Sequence, residues 1–181
     1  MEKVNIKHNT DNTVELLLVN GRYGTARKYA ENLQEPERTK KLQLILKLYL
    51  EKNRFESARK ITMMISKEYQ NEEFSIILEK CVENGNLEES QKTVKFLKRK
   101  LKTDEISIIL ETCVNKGLLS ESLEATRLLK RKLNTNEILC IMRVCTARGE
   151  PAISKKASRL LPNNKEPRDL FVGFFHSLFT V

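Results

Sequence analysis

The stretch EFSIILEKCVENG, Glu73–Gly85, returns 32 residues later as EISIILETCVNKG, Glu105–Gly117. The segments Ser-Ile-Ile-Leu-Glu and Cys-Val and the final glycine are unchanged between the two copies. The same spacing, extended in both directions, places five units that start near residues 9, 41, 73, 105 and 137. A fixed internal period of this length is typical of repeat architectures. The sequence therefore predicts a helical-repeat array over residues 1–161.

Each unit contains a residue that tolerates a left-handed backbone, as the residue that ends a helix often does. A small residue follows five positions later, where it lets neighbouring helices approach closely. The turn residues are Gly21, Asn53, Gly85, Gly117 and Gly149. The small residues are Ala26, Ala58, Ser90, Ser122 and Ser154. Each unit is therefore predicted to be a hairpin of two antiparallel helices.

The unit that starts at Glu105 shows the helical pattern most fully. Thr103 and Asp104 are expected to cap its first helix. The apolar residues of that helix keep helical spacing and are expected to be buried. They are Ile106, Ile109, Leu110 and Cys113, and Ile108 and Val114 are expected to broaden the buried surface. Because stacked copies would cover both sides of such a helix, we predict an all-α fold, a right-handed α-solenoid of five helix–turn–helix repeats.

The composition limits the class of protein further. Of the 181 residues 40% are hydrophobic, and the chain has no tryptophan, which suits a helical fold with a real core. No run approaches the roughly 18 to 20 apolar residues that span a bilayer, and the N-terminus lacks a secretory signal. The four cysteines form no Cys-x-x-Cys pair. We expect a cytoplasmic protein with no membrane span, metal site or cofactor.

The C-terminal end departs from the repeat. PNNKEPRD, residues 162–169, is predicted to be a turn or linker, and LFVGFFHSLFTV, residues 170–181, a short apolar helix. Because a solenoid requires covered ends, we expect this helix to cap the last repeat. The alternative is a segment that docks a partner or forms a dimer.

The string IILETCVNKGLLSESLEATRLLKRKL, Ile108–Leu133, resembles the tetratricopeptide and pentatricopeptide helical repeats. The resemblance extends over residues 9–161. Pentatricopeptide proteins bind single-stranded RNA, and two polar positions of each repeat read one base. The resemblance places the early position at Asp11, Gln43, Ser75, Ser107 and Leu139, and its partner near Arg38, Gln70, Lys102 and Asn134.

A solenoid would expose positions 3, 7 and 11 of each unit, all on its first helix, on one surface. In the middle repeats this surface is mixed to acidic, which suits a basic or polar peptide better than phosphates. The alternative is a face that is only solvated. The groove candidates are Gln43, Lys47, Ser75, Glu79, Glu83, Ser107, Glu111 and Asn115.

The excess positive charge lies in two segments, Gln91–Thr103 and Leu123–Thr135, which together account for the formal net charge of +9. Each contains a Lys-Arg-Lys run that is expected in the last turn of a second helix. The two runs are predicted to stack as a basic ridge of Lys98, Arg99, Lys100, Lys130, Arg131 and Lys132. These cations either complement the helix ends or bind an anionic partner, which is RNA, an acidic protein segment or anionic lipid.

The sequence shows no catalytic constellation, since His8 and His176 lie near opposite ends and no nucleophile or phosphate-loop motif is present. We therefore expect a non-enzymatic scaffold that binds a protein or peptide partner. The alternative is a pentatricopeptide-like RNA-binding module that uses the basic ridge.

Overall fold

The computed structural model describes residues 12–162 of the chain. Within that range the chain forms ten helices and no strand, which confirms the all-α prediction. The linker and the capping helix that were predicted for the C-terminal end lie, apart from Pro162, outside the described residues. The helices are α1 (Thr13–Val19), α2 (Tyr23–Glu31), α3 (Glu37–Glu51), α4 (Phe55–Thr62), α5 (Lys67–Glu83), α6 (Leu87–Phe96), α7 (Thr103–Asn115), α8 (Leu119–Leu128), α9 (Thr135–Ala147) and α10 (Pro151–Ser158).

The described residues divide into two compact units, the first containing 12–81 and 88–100 and the second 82–87 and 101–162. In the first unit, α1 packs on α2, α2 on α3 and α3 on α4. Its core includes the fully buried side chains of Leu42, Ile45 and Ile77. In the second unit, α7 packs on both α8 and α9, and α9 packs on α10.

The spacing of 32 residues is strict at the start of each second helix. These helices begin at Tyr23, Phe55, Leu87, Leu119 and Pro151. The residue two positions earlier has a positive φ in every case, between +54° at Asn53 and +72° at Gly21 and Gly149. The predicted left-handed turns are therefore confirmed. The first helices begin at less regular intervals, at Thr13, Glu37, Lys67, Thr103 and Thr135.

Backbone hydrogen bonds close these turns in the same way. At the end of α7, the Gly117 amide donates to the carbonyl of Val114 at 3.0 Å, and the Leu118 amide donates to the carbonyl of Cys113 at 2.9 Å. The Gly149 turn repeats the pattern at the end of α9. The bonds satisfy carbonyl groups that the end of a helix would otherwise leave without a partner.

Buried cysteines connect successive turns within the second unit. The thiol of Cys113 donates to the carbonyl of Gly85 at 3.2 Å, and the thiol of Cys145 donates to the carbonyl of Gly117 at 3.3 Å. Burial raises the pKa of the Cys113 thiol to about 11, so the reactive thiolate is scarce at neutral pH. These cysteines act as packing residues with one weak hydrogen bond each.

The small residues after the turns lie where the sequence places them. Ala26, Ala58, Ser90 and Ser122 are completely buried, and Ser154 is half-buried. The Ser122 hydroxyl donates to the carbonyl of Leu118 at 2.7 Å, so its polar group is satisfied inside its own helix. Four of the five small residues are therefore buried, as a position between packed helices requires.

Two details of the α7 prediction are wrong. The helix already includes Thr103 and Asp104, and the Glu105 carboxylate accepts a 2.7 Å hydrogen bond from the backbone amide of Lys102, the N-cap residue. Ile108 is 47% exposed, whereas the other five apolar residues predicted to be buried are buried. An isoleucine can stay exposed because the core needs only one side of the helix to be fully covered.

No helix between Asn12 and Pro162 combines the length and the apolar character required to cross a bilayer.

We expect Gly117→Ala to destabilise the second unit more than Gly149→Ala does. Both glycines have a left-handed backbone, with φ of +67° and +72°. A Cβ at Gly117 would lie 2.9 Å from Cγ1 of Val144, whereas a Cβ at Gly149 meets nothing within 4 Å. Backbone strain costs each variant about 1 kcal/mol, and crowding adds about 1 to 3 kcal/mol at Gly117 alone. Urea unfolding of both variants measures the difference, and equal losses would contradict the tight contact.

Candidate functional site

An exposed aliphatic side chain recurs on three of the first helices, at the fourth residue of the repeat unit. Leu44 on α3 is 37% exposed, Ile76 on α5 is 43% exposed and Ile108 on α7 is 47% exposed. Each is 32 residues from the next. This feature was not predicted, because Ile108 was expected in the core, although the identical spacing of the three residues is visible in the sequence.

Carboxylates lie beside the isoleucines on the same face of each helix. On α5, Glu72, Glu79 and Glu83 are exposed at four residues before and three and seven residues after Ile76. Residues three, four and seven apart lie on one face of a helix. On α7, the exposed residues Asp104, Glu111 and Asn115 hold the same places around Ile108. We call these two surfaces the acidic isoleucine faces of α5 and α7.

The predicted groove residues divide into two groups. Lys47, Glu79, Glu83, Glu111 and Asn115 are exposed as expected. Gln43, Ser75 and Ser107 make local hydrogen bonds. The Gln43 amide donates to Glu73 at 2.7 Å, and the two serine hydroxyls donate to the carbonyls of Asn71 and Thr103 at 2.8 and 2.9 Å.

Glu73 explains why Gln43 is held in place. Its side chain is buried at the contact between α3 and α5, and burial raises the pKa of its carboxyl group. The amide of Gln43 supplies a hydrogen bond that this buried group requires. Gln43 therefore packs α3 against α5 in the first unit.

Two of the partner positions that were predicted to read bases are also engaged locally. The Gln70 amide donates to the carbonyl of Ile65 at 2.9 Å and to that of Met63 at 3.3 Å. Asn134 is the N-cap of α9, and its side chain accepts from the Glu137 amide at 2.9 Å. These amides complete helix ends in the part of the chain that the structure describes.

The Lys-Arg-Lys runs follow the second helices instead of forming their last turns. α6 ends at Phe96 and α8 ends at Leu128, and each run begins two residues later. Lys98 and Lys130 have left-handed backbones, with φ of +51° and +53°. The Arg131 amide donates to the carbonyl of Thr126 at 3.0 Å, which closes the turn as at the hairpin glycines. The predicted placement in the last helical turn is therefore wrong by a few residues.

A left-handed lysine is unusual. An L-residue with a Cβ loses roughly 1 to 2 kcal/mol in this conformation relative to the right-handed one, whereas glycine has no such penalty. Both lysine side chains are exposed. The backbone bonds of the turn do not require the lysine side chain, because a glycine would form them equally well.

The arginines of the two runs stabilise the turns themselves. Arg131 forms a bidentate ion pair with Glu137, with nitrogen–oxygen distances of 2.6 and 2.9 Å. It also donates to the carbonyl of Lys132, and Arg99 donates in the same way to the carbonyl of Lys100. The hydrogen bonds from Arg131 lower the pKa of the Glu137 carboxyl group. Lys98, Lys100, Lys130 and Lys132, in contrast, form no ion pair with any residue between Asn12 and Pro162.

One buried ion pair has no counterpart among the sequence predictions. Arg59 of α4 lies 2.7 Å from the Glu89 carboxylate and 3.3 Å from the Thr93 hydroxyl of α6, inside the first unit. Lys92 approaches the same carboxylate at 3.0 Å. Arg59 lies four residues after the buried Phe55 and three before the buried Thr62, and this spacing was the available signal. The pair satisfies buried charges and joins two helices.

Among residues 12–162, no group of three or more histidine, cysteine or acidic side chains is arranged to hold a metal ion. Comparison with protein families, curated proteins and solved structures finds no match for this chain. The resemblance to tetratricopeptide and pentatricopeptide repeats stays a prediction.

We expect Arg131→Gln to weaken the pH dependence of stability. The depressed pKa of Glu137 stabilises the folded protein at pH values above the ordinary value of 4.5, and this contribution is lost as the pH falls through the lower folded pKa. Because Arg131 is 41% exposed and the pair is screened, the variant should lose about 0.5 to 1 kcal/mol at pH 7 and little at pH 2. Denaturant unfolding at both pH values measures this.

Lys132→Gln is the matched control, since it removes one cation from the same turn without breaking an ion pair among the described residues. It should leave the pH dependence unchanged. An equal response of the two variants would mean that Arg131 acts only through its net charge.

Proposed function

We propose that this chain is a non-enzymatic α-solenoid scaffold that binds a protein or peptide partner on the exposed faces of its first helices. The single observation that carries the proposal is the pair of acidic isoleucine faces on α5 and α7. Each combines an aliphatic side chain that is nearly half exposed with carboxylates one turn before and one turn after it.

The chemistry of these faces indicates the class of partner. Apolar contact with an isoleucine supplies binding energy, and adjacent carboxylates attract lysine or arginine and exclude acidic segments. The fitting ligand is a short segment with aliphatic side chains and basic residues. An amphipathic helix of this composition would place both kinds of side chain on one stripe.

The RNA alternative has less support. The carboxylates of the two faces repel phosphate groups. Five of the polar positions that would read bases, Gln43, Ser75, Ser107, Gln70 and Asn134, are engaged in hydrogen bonds with other groups of the chain, as described above. Arg131 of the basic ridge is committed to Glu137.

A displayed library of random peptides, selected on the wild-type protein, tests the proposal. We expect enriched peptides to combine basic and aliphatic residues. Ile108→Ser should raise the dissociation constant of a selected peptide roughly tenfold. The substitution removes most of a side chain whose burial would contribute about 1.5 kcal/mol to binding. Glu79→Lys with Glu111→Lys should weaken peptide binding further by charge repulsion. Fluorescence anisotropy at physiological salt measures the dissociation constants.

Glu121→Lys with Glu124→Lys is the matched control, because it makes the same change of net charge on two exposed residues of α8. This variant should bind the selected peptides nearly as well as the wild type. Equal weakening by both double variants would show that net charge alone governs binding. Selected peptides that are insensitive to Ile76→Ser and to Ile108→Ser would place the site elsewhere.

A further inference from the structure

The ends of α6 and α8 present the same chemistry, separate from the acidic isoleucine faces. The last residue of each helix is apolar and exposed, 39% at Phe96 and 43% at Leu128. Two residues later comes the left-handed lysine, Lys98 or Lys130. A second exposed lysine, Lys100 or Lys132, follows after the arginine. We call these segments, 96–100 and 128–132, the two basic turns.

The left-handed lysines are the informative residues of the basic turns. The chain has glycine at four of its five hairpin turns, where the conformation is the same. A cation that only complements the helix end does not need this strained position, because Lys95 and Arg127 already lie in the last turns of α6 and α8. Residues held in strained conformations are concentrated at functional sites. The strained conformation therefore singles out the side chains of Lys98 and Lys130 as candidates for a functional role.

The surroundings of the lysines leave their charge available. The neighbouring arginines are held by carbonyl groups of their own turns. Within the described residues Glu137 is paired with Arg131, and the exposed Glu124 lies one turn before Leu128. Each basic turn therefore exposes two cations beside one apolar side chain.

The apolar residues distinguish between anionic partners. Binding of single-stranded RNA uses aromatic faces on which bases stack. Only Phe96 is aromatic, and one face of its ring is stacked on Phe74, with centroids 4.6 Å apart and planes inclined by 10°. Leu128 is aliphatic, so the two turns share an exposed apolar side chain but not an aromatic stacking face. A lipid interface, in contrast, takes up exposed phenylalanine or leucine side chains while lysines contact the headgroups.

We propose that each basic turn, taken by itself, binds an anionic lipid surface, with its two lysines (Lys98 and Lys100, or Lys130 and Lys132) against the headgroup phosphates and its apolar residue (Phe96 or Leu128) at the interface. The binding is peripheral and reversible. It is independent of the peptide site, because it uses different residues of opposite charge. Each lysine close to an anionic membrane strengthens partitioning about fivefold.

Sedimentation of the full chain with phosphatidylserine-containing vesicles tests the proposal, with pure phosphatidylcholine vesicles as the reference. We expect binding only to the anionic vesicles, weakened by added salt. Lys98→Gly and Lys130→Gly should each lower the partition coefficient about fivefold at a basic turn that contacts the membrane. Their thermal midpoints should equal or exceed that of the wild type, because glycine relieves the strained backbone. Loss of binding without loss of stability separates a ligand contact from a structural role.

Lys28→Gln with Lys67→Gln is the charge-matched control, since both lysines are exposed and lie outside the basic turns. It should lower binding much less than the glycine pair. Lys98→Gln with Lys130→Gln supplies a second test that does not depend on the backbone change, and Leu128→Ser tests the apolar contact.

Three results would overturn the proposal. The wild type could fail to bind anionic vesicles, or the glycine variants could bind as tightly as the wild type. A single-stranded RNA oligonucleotide could instead bind at physiological salt and lose affinity in the glycine variants, which would assign the basic turns to nucleic acid.

Discussion

The reversal between the helices of each hairpin depends on one backbone conformation, the left-handed residue after the first helix. Gly117 shows why the rest of the structure needs it. Its amide and that of Leu118 return to α7 and close the helix end, while its carbonyl accepts the thiol of Cys145. Because Gly117 has no side chain, Val144 can lie closer to its backbone than a Cβ atom at that position would allow. Gly117 thus ends α7, sets the direction in which the chain continues to α8, and leaves space for the side chain of Val144.

This dependence explains which features the sequence could predict. Turn residues, the small residues five positions later and most of the core follow from local spacing, and they were found at the expected positions. The starts of the first helices were not predictable, because loops of different length precede them and a helix start depends on whichever cap is available. At α7 that cap is the Glu105 carboxylate bonded to the Lys102 amide, whereas α9 uses a reciprocal pair of Asn134 and Glu137.

The candidate sites were harder to predict than the fold for a related reason. Hydrophobicity alone cannot tell Ile108 from Ile109, although one is nearly half exposed and the other is fully buried. The distinction requires the rotation of α7 relative to α8 and α9, which only packing determines. The position of the Lys-Arg-Lys runs depended in the same way on where α6 and α8 end, and a left-handed lysine gives no sequence signal as glycine does.

The two kinds of surface differ in what they cost the folded protein. An exposed isoleucine or glutamate costs little, because protein surfaces normally contain apolar and charged residues. A left-handed lysine costs stability in every folded molecule, and the arginine beside it offsets part of that cost: Arg131 bonds to the carbonyl of Lys132 and to Glu137. The arginine holds the strained turn while the two lysines stay exposed. Within one run of three cations, the middle residue therefore stabilises the turn and the outer two remain available for an anionic partner.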